Sequence, residues 1–198
     1  MMKQFIKTLF VFIFSILFVG CSSTPQKTPV IINVQDKSSM PVLSSQEQKK
    51  YSDALQQMKL QNFEVAEQSF HGLLESHPRL AGAMVNLGLI QEKKKEKEKA
   101  LAFYEAALKV NPNNVVGLIQ SALQYQSQGK FKVAEDRLRR ANAIDKKNPV
   151  VNYNLGVLYE LYLQEYDLAI KYYQAYVDVS ENEDVATVKR WIKLLERK

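Results

Sequence analysis

The sequence predicts an all-α solenoid of about four helix–turn–helix repeats closed by a C-terminal capping helix. Three observations predict it. Ala66, Ala100, Ala134 and Ala169 recur at regular separations of 34, 34 and 35. Each is followed four positions later by a bulky apolar residue, as Phe70, Tyr104, Leu138 and Tyr173. Asn86-Leu87-Gly88 returns two periods later as Asn154-Leu155-Gly156, while Pro78 and Pro112 close their units one period apart. A period of this length marks supersecondary units that bury their apolar faces only by stacking on one another. Two antiparallel helices can approach closely where both present Gly or Ala, and an aromatic side chain then fills the gap beside them.

The chain has 198 residues, enough for a leader and one domain. Apolar residues make up 46% and charged residues 24%, which fits a folded chain, and 7 Gly with 6 Pro exclude a low-complexity architecture. The formal charge is +6, of which Lys3 and Lys7 lie in a segment expected to be removed, leaving +4. Nucleic-acid binding needs a concentrated basic face on a recognisable module, and neither is legible.

Residues 1–20 read as a secretory leader. Lys3 and Lys7 stand without an acid in the first seven residues, and Thr8 to Gly20 is apolar except for Thr8 and Ser15. Thirteen residues suit the apolar core of a signal and fall short of a spanning helix. An ordinary signal-peptidase site does not fit, because Phe18 stands where a small residue is required. The run Leu17-Phe18-Val19-Gly20-Cys21 instead resembles a bacterial lipobox. That resemblance implies a diacylglycerol on the Cys21 sulfur, cleavage before it and acylation of the new amine. Phe18 departs from the usual Leu, Val or Ile. Cys21 is the sole cysteine, so neither a disulfide nor a thiolate cluster is expected. Ser22, in place of a retention-type aspartate, implies the outer membrane's inner leaflet.

Residues 21–46 read as a tether rich in Ser, Thr, Pro, Gln and Lys, in which Pro25, Pro29 and Pro41 interrupt any helix. Within it, Val30-Ile31-Ile32-Asn33-Val34 is either an incidental apolar patch or a strand able to pair with a partner's sheet edge.

Residues 47–182 carry the repeats, at about 47–80, 81–114, 115–148 and 149–182. Leu87, Gly88, Ala100, Tyr104, Ala107, Leu108 and Pro112-Asn113-Asn114 in the second unit resemble the tetratricopeptide signature, which implies a superhelical array whose concave face is lined by the first helix of each unit. The other units depart from it. Ala54 replaces the usual Gly in the first, and Ser121-Ala122 replaces Leu-Gly in the third, where Lys146 also stands for the closing Pro. The fourth carries one extra residue within Leu161-Tyr162-Leu163-Gln164-Glu165 and should have an irregular turn. In residues 183–198, Val185, Val188, Trp191, Ile192 and Leu195 recur at helical spacing and predict an amphipathic cap.

By that resemblance, the concave face carries Val85, Asn86 and Leu89; Ile119, Gln120 and Leu123; and Tyr153, Asn154 and Val157. Asn86, Gln120 and Asn154 would form an amide ladder flanked by apolar groups, suited to an extended or helical partner segment. Satisfying adjacent backbone or water is the other use of these amides. A clamp for a chain-terminal carboxylate is not expected, because Val85, Ile119 and Tyr153 stand where basic groups are needed. His71 and His77 lie six apart, which fits no metal-ligand pattern, and no phosphate loop, nucleophile elbow or acid–base pair is present. The chain is therefore expected to be no enzyme and to need no cofactor beyond the lipid on Cys21.

Function is expected to be that of a membrane-anchored, periplasm-facing scaffold for an envelope protein or peptide. The runs Asn154–Tyr159, Leu161–Leu163 and Lys189-Arg190-Trp191-Ile192 resemble tetratricopeptide proteins associated with TonB energy-transduction systems. A pilotin-like role in assembling a secretin or pilus, and recruitment of peptidoglycan enzymes, are the alternatives. Self-association through an array end or a tyrosine-rich face is left open.

Overall fold

In the computed structural model, residues 42–181 and 184–197 are described. The leader, Cys21 and the Val30–Val34 run lie outside the described residues. The described chain is helical: α1 (Ser45–Lys59), α2 (Phe63–Ser76), α3 (Ala81–Lys93), α4 (Lys97–Val110), α5 (Val115–Ser127), α6 (Phe131–Ile144), α7 (Pro149–Leu158), a π-helical turn (Tyr159–Leu163), α8 (Tyr166–Val179) and α9 (Val185–Leu195). α1 packs on α2, α3 on α4, α5 on α6 and α7 on α8, and each hairpin packs on the next, with α9 closing against α8.

α1, α5 and α7 begin where side chains satisfy their first amides. Ser44 caps α1 in a reciprocal box with Glu47, and Asn114 Oδ1 accepts from the Gly117 amide at 2.8 Å. Asn148 Oδ1 accepts from Val150 and Val151 at 3.1 and 3.2 Å, and Pro149 takes the first turn of α7, where its missing N–H costs nothing.

All four hairpin turns close by one device. The residue at the tip is left-handed: Gln61 (φ 62°), Lys95 (φ 64°), Gly129 (φ 74°) and Gln164 (φ 56°). The next amide then donates back into the helix, as Asn62 to Gln57 O, Glu96 to Gln91 O and Lys130 to Tyr125 O, each at 2.9 Å. In the fourth hairpin Glu165 donates to Tyr159 O, also at 2.9 Å, across one residue more. The extra residue is absorbed as the π-helical turn.

Close helix approach is carried by small residues under aromatic rings. A Cβ on Gly88 would stand 2.4 Å from Tyr104 Cε1, and one on Gly156 would stand 2.4 Å from Tyr173 Cδ1. The same positions in the first and third hairpins hold Ala54 with Phe70 and Ala122 with Leu138, all fully buried. Ala66, Ala100, Ala134 and Ala169 are also fully buried. On α9, Val188, Ile192 and Leu195 are buried and join the core formed by α5 to α8.

Candidate functional site

The face proposed to bind partners is built by α3, α5 and α7. Their equivalent positions fall one repeat period apart, so Val85, Ile119 and Tyr153 share one register, as do Asn86, Gln120 and Asn154, and Leu89, Leu123 and Val157. Val85, Asn86, Leu89 and Ile119 are buried. Gln120, Leu123, Tyr153, Asn154 and Val157 are half-buried and retain exposed surface.

The amides are partly committed within the protein. Asn86 Nδ2 donates to Gly82 O in its own helix at 2.9 Å and to the Tyr51 hydroxyl on α1 at 2.8 Å. Tyr51 in turn lies over Gly82, where a Cβ would stand 2.7 Å from its oxygen. Burial pushes the Tyr51 hydroxyl up to about 12, against the lowering effect of its bond from Asn86. Asn154 Nδ2 donates to Val150 O at 2.8 Å, again four residues back. Asn86 is therefore a tie between the first two hairpins. Tyr153 packs among Tyr176, Tyr173 and Trp191, with ring centroids 5.5, 6.3 and 6.4 Å away. What remains open is an amide and an apolar side chain on each of two adjacent helices, Gln120 with Leu123 and Asn154 with Val157.

Tyr51 was not singled out by sequence reasoning, although it stands one period before Val85, in the same register as Ile119 and Tyr153. Its ring also meets Phe70 edge-on, with centroids 5.4 Å apart.

Two families of polar bonds rigidify the frame behind this face. Within hairpins, the Tyr104 hydroxyl donates to Glu92 at 2.9 Å and the Tyr173 hydroxyl to Glu160 at 2.7 Å. Burial, reinforced by the facing carboxylate, raises both hydroxyls far above the ordinary tyrosine range. Between hairpins, Gln91 donates to Glu67 at 2.6 Å and the Tyr159 hydroxyl to Glu135 at 2.7 Å. Arg137 grips both oxygens of Glu105 at 3.0 and 3.1 Å, a charge-assisted pair joining α4 to α6.

An open depression of about 560 Å³ lies elsewhere, along α2, lined by Glu64, Glu67, Gln68, His71, Gly72 and Glu75. Lys94 reaches Glu67 at 2.6 Å and Glu64 at 3.1 Å there, so two of its three carboxylates are compensated from α3's end. His71 faces Phe103 at 6.1 Å, whereas His77 pairs with Glu47 at 2.8 Å. Among the described residues no group of three or more His, Cys, Asp or Glu side chains is gathered around a metal-sized space.

This architecture is a tetratricopeptide solenoid, an array of stacked helical hairpins. Family models described as tetratricopeptide repeat match residues 81–114 and 150–183, the two hairpins that carry glycine under tyrosine. The TPR repeat-containing protein YpiA of Bacillus subtilis is 41% identical over 64 residues, 32% of this chain. The match spans 15% of that relative's length. Among solved structures, MamA superposes with a TM-score of 0.62 at 17% identity, covering 73% of this chain and 82% of its own. A thermophilic TPR protein from Thermus thermophilus gives 0.59 at 22% identity, covering 77% and 82% respectively. A tetratricopeptide repeat protein from Parabacteroides merdae gives 0.63 at 18% identity, covering 77% of this chain and 61% of that one. These likenesses establish the fold.

Proposed function

We propose that this chain is a lipid-anchored scaffold of the cell envelope that holds a protein segment against the first helices of its repeats. The observation that carries the binding role is the half-exposed pairing of Gln120 with Leu123 and Asn154 with Val157 on adjacent helices. An amide beside an apolar group, repeated at one register, suits a segment that presents backbone polar groups and alternating apolar side chains. The anchor rests on the apolar leader and the lipobox-like run ending at Cys21. Two or more acyl chains would hold the protein stably, as one alone binds marginally. Ser22 favours the periplasmic leaflet of the outer membrane as its destination.

The resemblance in Asn154–Tyr159, Leu161–Leu163 and Lys189–Ile192 supports a role accessory to TonB-type energy transduction. The test is crosslinking in cells from the full lipidated chain carrying a photoreactive residue at Asn154, with captured proteins identified by mass spectrometry. Capture of a TonB-system component supports the whole reading. Capture of a secretin or pilus protein retains the scaffold and moves it to assembly, and a peptidoglycan enzyme would make it a recruiter. Capture only from positions on the second helices would overturn the assigned face.

A further inference from the structure

The first-to-second helix turns of all four hairpins lie along one edge of the array, because every repeat runs in the same direction. Leu60, Val65, Val133, Leu161 and Tyr162 sit at these turns and are 40–60% exposed. They are five of the nine exposed large apolar residues among the described residues, so the apolar surface is concentrated on this edge. Val65 and Val133 are equivalent by register, two periods apart, while Leu60 and Tyr162 stand one and two positions before their left-handed tips. Tyr162 is further shaped by Phe131, whose ring lies 4.8 Å away. The π-helical turn presents Leu161 and Tyr162 outward where a shorter turn would carry one residue fewer.

The intervening turn carries Lys93, Lys94, Lys95, Lys97 and Lys99 alternating with Glu92, Glu96 and Glu98. Lys94 is committed to Glu64 and Glu67, but the exposed stems of Lys93, Lys95, Lys97 and Lys99 can lie along a lipid interface while their ammonium heads stay in water. Mixed charge on this rim gives little long-range attraction to a surface of either sign.

We propose that this turn edge rests on the lipid surface to which Cys21 anchors the chain; the inference depends on the anchored reading above. Five partly exposed side chains form a weak lipid contact on their own. An anchor in the same chain converts that contact into an intramolecular one at high effective concentration. The geometry permits it. The array is described from Val42, 21 positions after Cys21, a length that spans at most about 70–75 Å when extended. The turn edge lies one helix length from the start of α1, about 22 Å for its 15 residues.

The test uses the full lipidated chain in vesicles of phosphatidylethanolamine and phosphatidylglycerol containing nitroxide-labelled lipid. A fluorophore is placed at Leu161 or Leu60, and for comparison at Ile144 or Arg79 on the opposite turns. Quenching at Leu161 and Leu60 is expected to be at least about twofold that at Ile144 and Arg79, and the Leu60 signal to fall to that level in Leu161→Asp/Tyr162→Asp. Equal quenching on both edges overturns the proposal, even if intact mass shows lipid on Cys21. If intact mass shows no lipid, the anchored reading fails separately. The chain held by an N-terminal His tag on chelating lipid then still reports whether the edge meets the membrane. A partner protein protecting the edge while quenching stays low would likewise overturn the lipid assignment.

Discussion

Gly88 lies so close beneath Tyr104 that a Cβ on the glycine would stand 2.4 Å from the ring. The same ring sends its hydroxyl to Glu92, so one tyrosine both sets the spacing of α3 and α4 and locks their ends. Gly88→Ala should therefore destabilise by about 1–3 kcal/mol through overpacking, reduced by up to about 1 kcal/mol of helix propensity. Thermal unfolding of Gly88→Ala and of Gly88→Ala/Tyr104→Leu checks this. The double variant reproduces the Ala122–Leu138 pairing and should recover part of the loss.

The third hairpin lacks that lock. Gln126 stands one repeat after Glu92, and Leu138 one repeat after Tyr104. Without a tyrosine opposite, Gln126 Oε1 is buried with no hydrogen-bond partner. Leu138→Tyr alone should clash with Ala122 and lower stability. Combined with Ala122→Gly and Gln126→Glu it should regain about 1.5–3 kcal/mol, the contribution of a hydrogen bond to a charged acceptor. Denaturant midpoints for the single and triple variants measure the coupling. A triple variant no more stable than Leu138→Tyr would refute the lock.

Turn tips offer a cleaner backbone experiment. Lys95 and Gln61 hold φ values of 64° and 62°, which cost a side-chain-bearing residue about 1–2 kcal/mol relative to its right-handed conformation. Lys95→Gly should stabilise the array by roughly 0.5–1 kcal/mol, and Gly129→Ala should weaken it by a similar amount. Opposite signs in guanidinium unfolding are the expected signature.

Glu47 predicts an acid transition. A hydrogen bond from the Ser44 hydroxyl, then the Ser44 amide and His77, hold its carboxyl down to about 2 from an ordinary 4.5. Because the folded value is the lower one, its stabilising effect is complete above about pH 4.5 and lost as pH falls toward 2. The melting temperature of Glu47→Gln should show a shallower pH slope in that window than the parent.

Asn86 separates structural from recognition roles. Its bond to Tyr51 is part-buried, and Asn86→Ala removes the donor from that hydroxyl. A loss of about 1–2 kcal/mol in stability is expected. Asn154→Ala removes a bond within its own helix and should cost less. Partner capture that survives Asn86→Ala but not Asn154→Ala would place recognition on α7.

Much of the fold was legible because close packing leaves a sequence record. Gly88, Gly156 and the alanines at 66, 100, 134 and 169 are small because a second helix or a ring occupies their side-chain space. The irregular fourth turn was also visible as one added residue, although its π-helical geometry depends on backbone bonding that composition does not encode. The candidate face was less legible. An asparagine at the same register can point to a partner or to a neighbouring helix, and Tyr51 decided the matter for Asn86. The tyrosine–glutamate locks join residues on two helices, and only their recurrence as Glu92–Tyr104 and Glu160–Tyr173 hints at them. Cys21 and residues 22–41 lie outside the described residues, and α1 begins at Ser45 behind its Ser44 cap, two positions inside the segment expected to be tether.

The turn before α8 has a consequence for how this array can change length. One residue added within a continuous helix rotates everything beyond it by about 100°. Here Glu165 reaches back to Tyr159 across the added position, and α8 still brings Tyr173 over Gly156. The hairpin tip thus acts as a phase compensator. One residue is accommodated there without disturbing the register of the stack on either side, so the same tip is where a further residue should be installed by design.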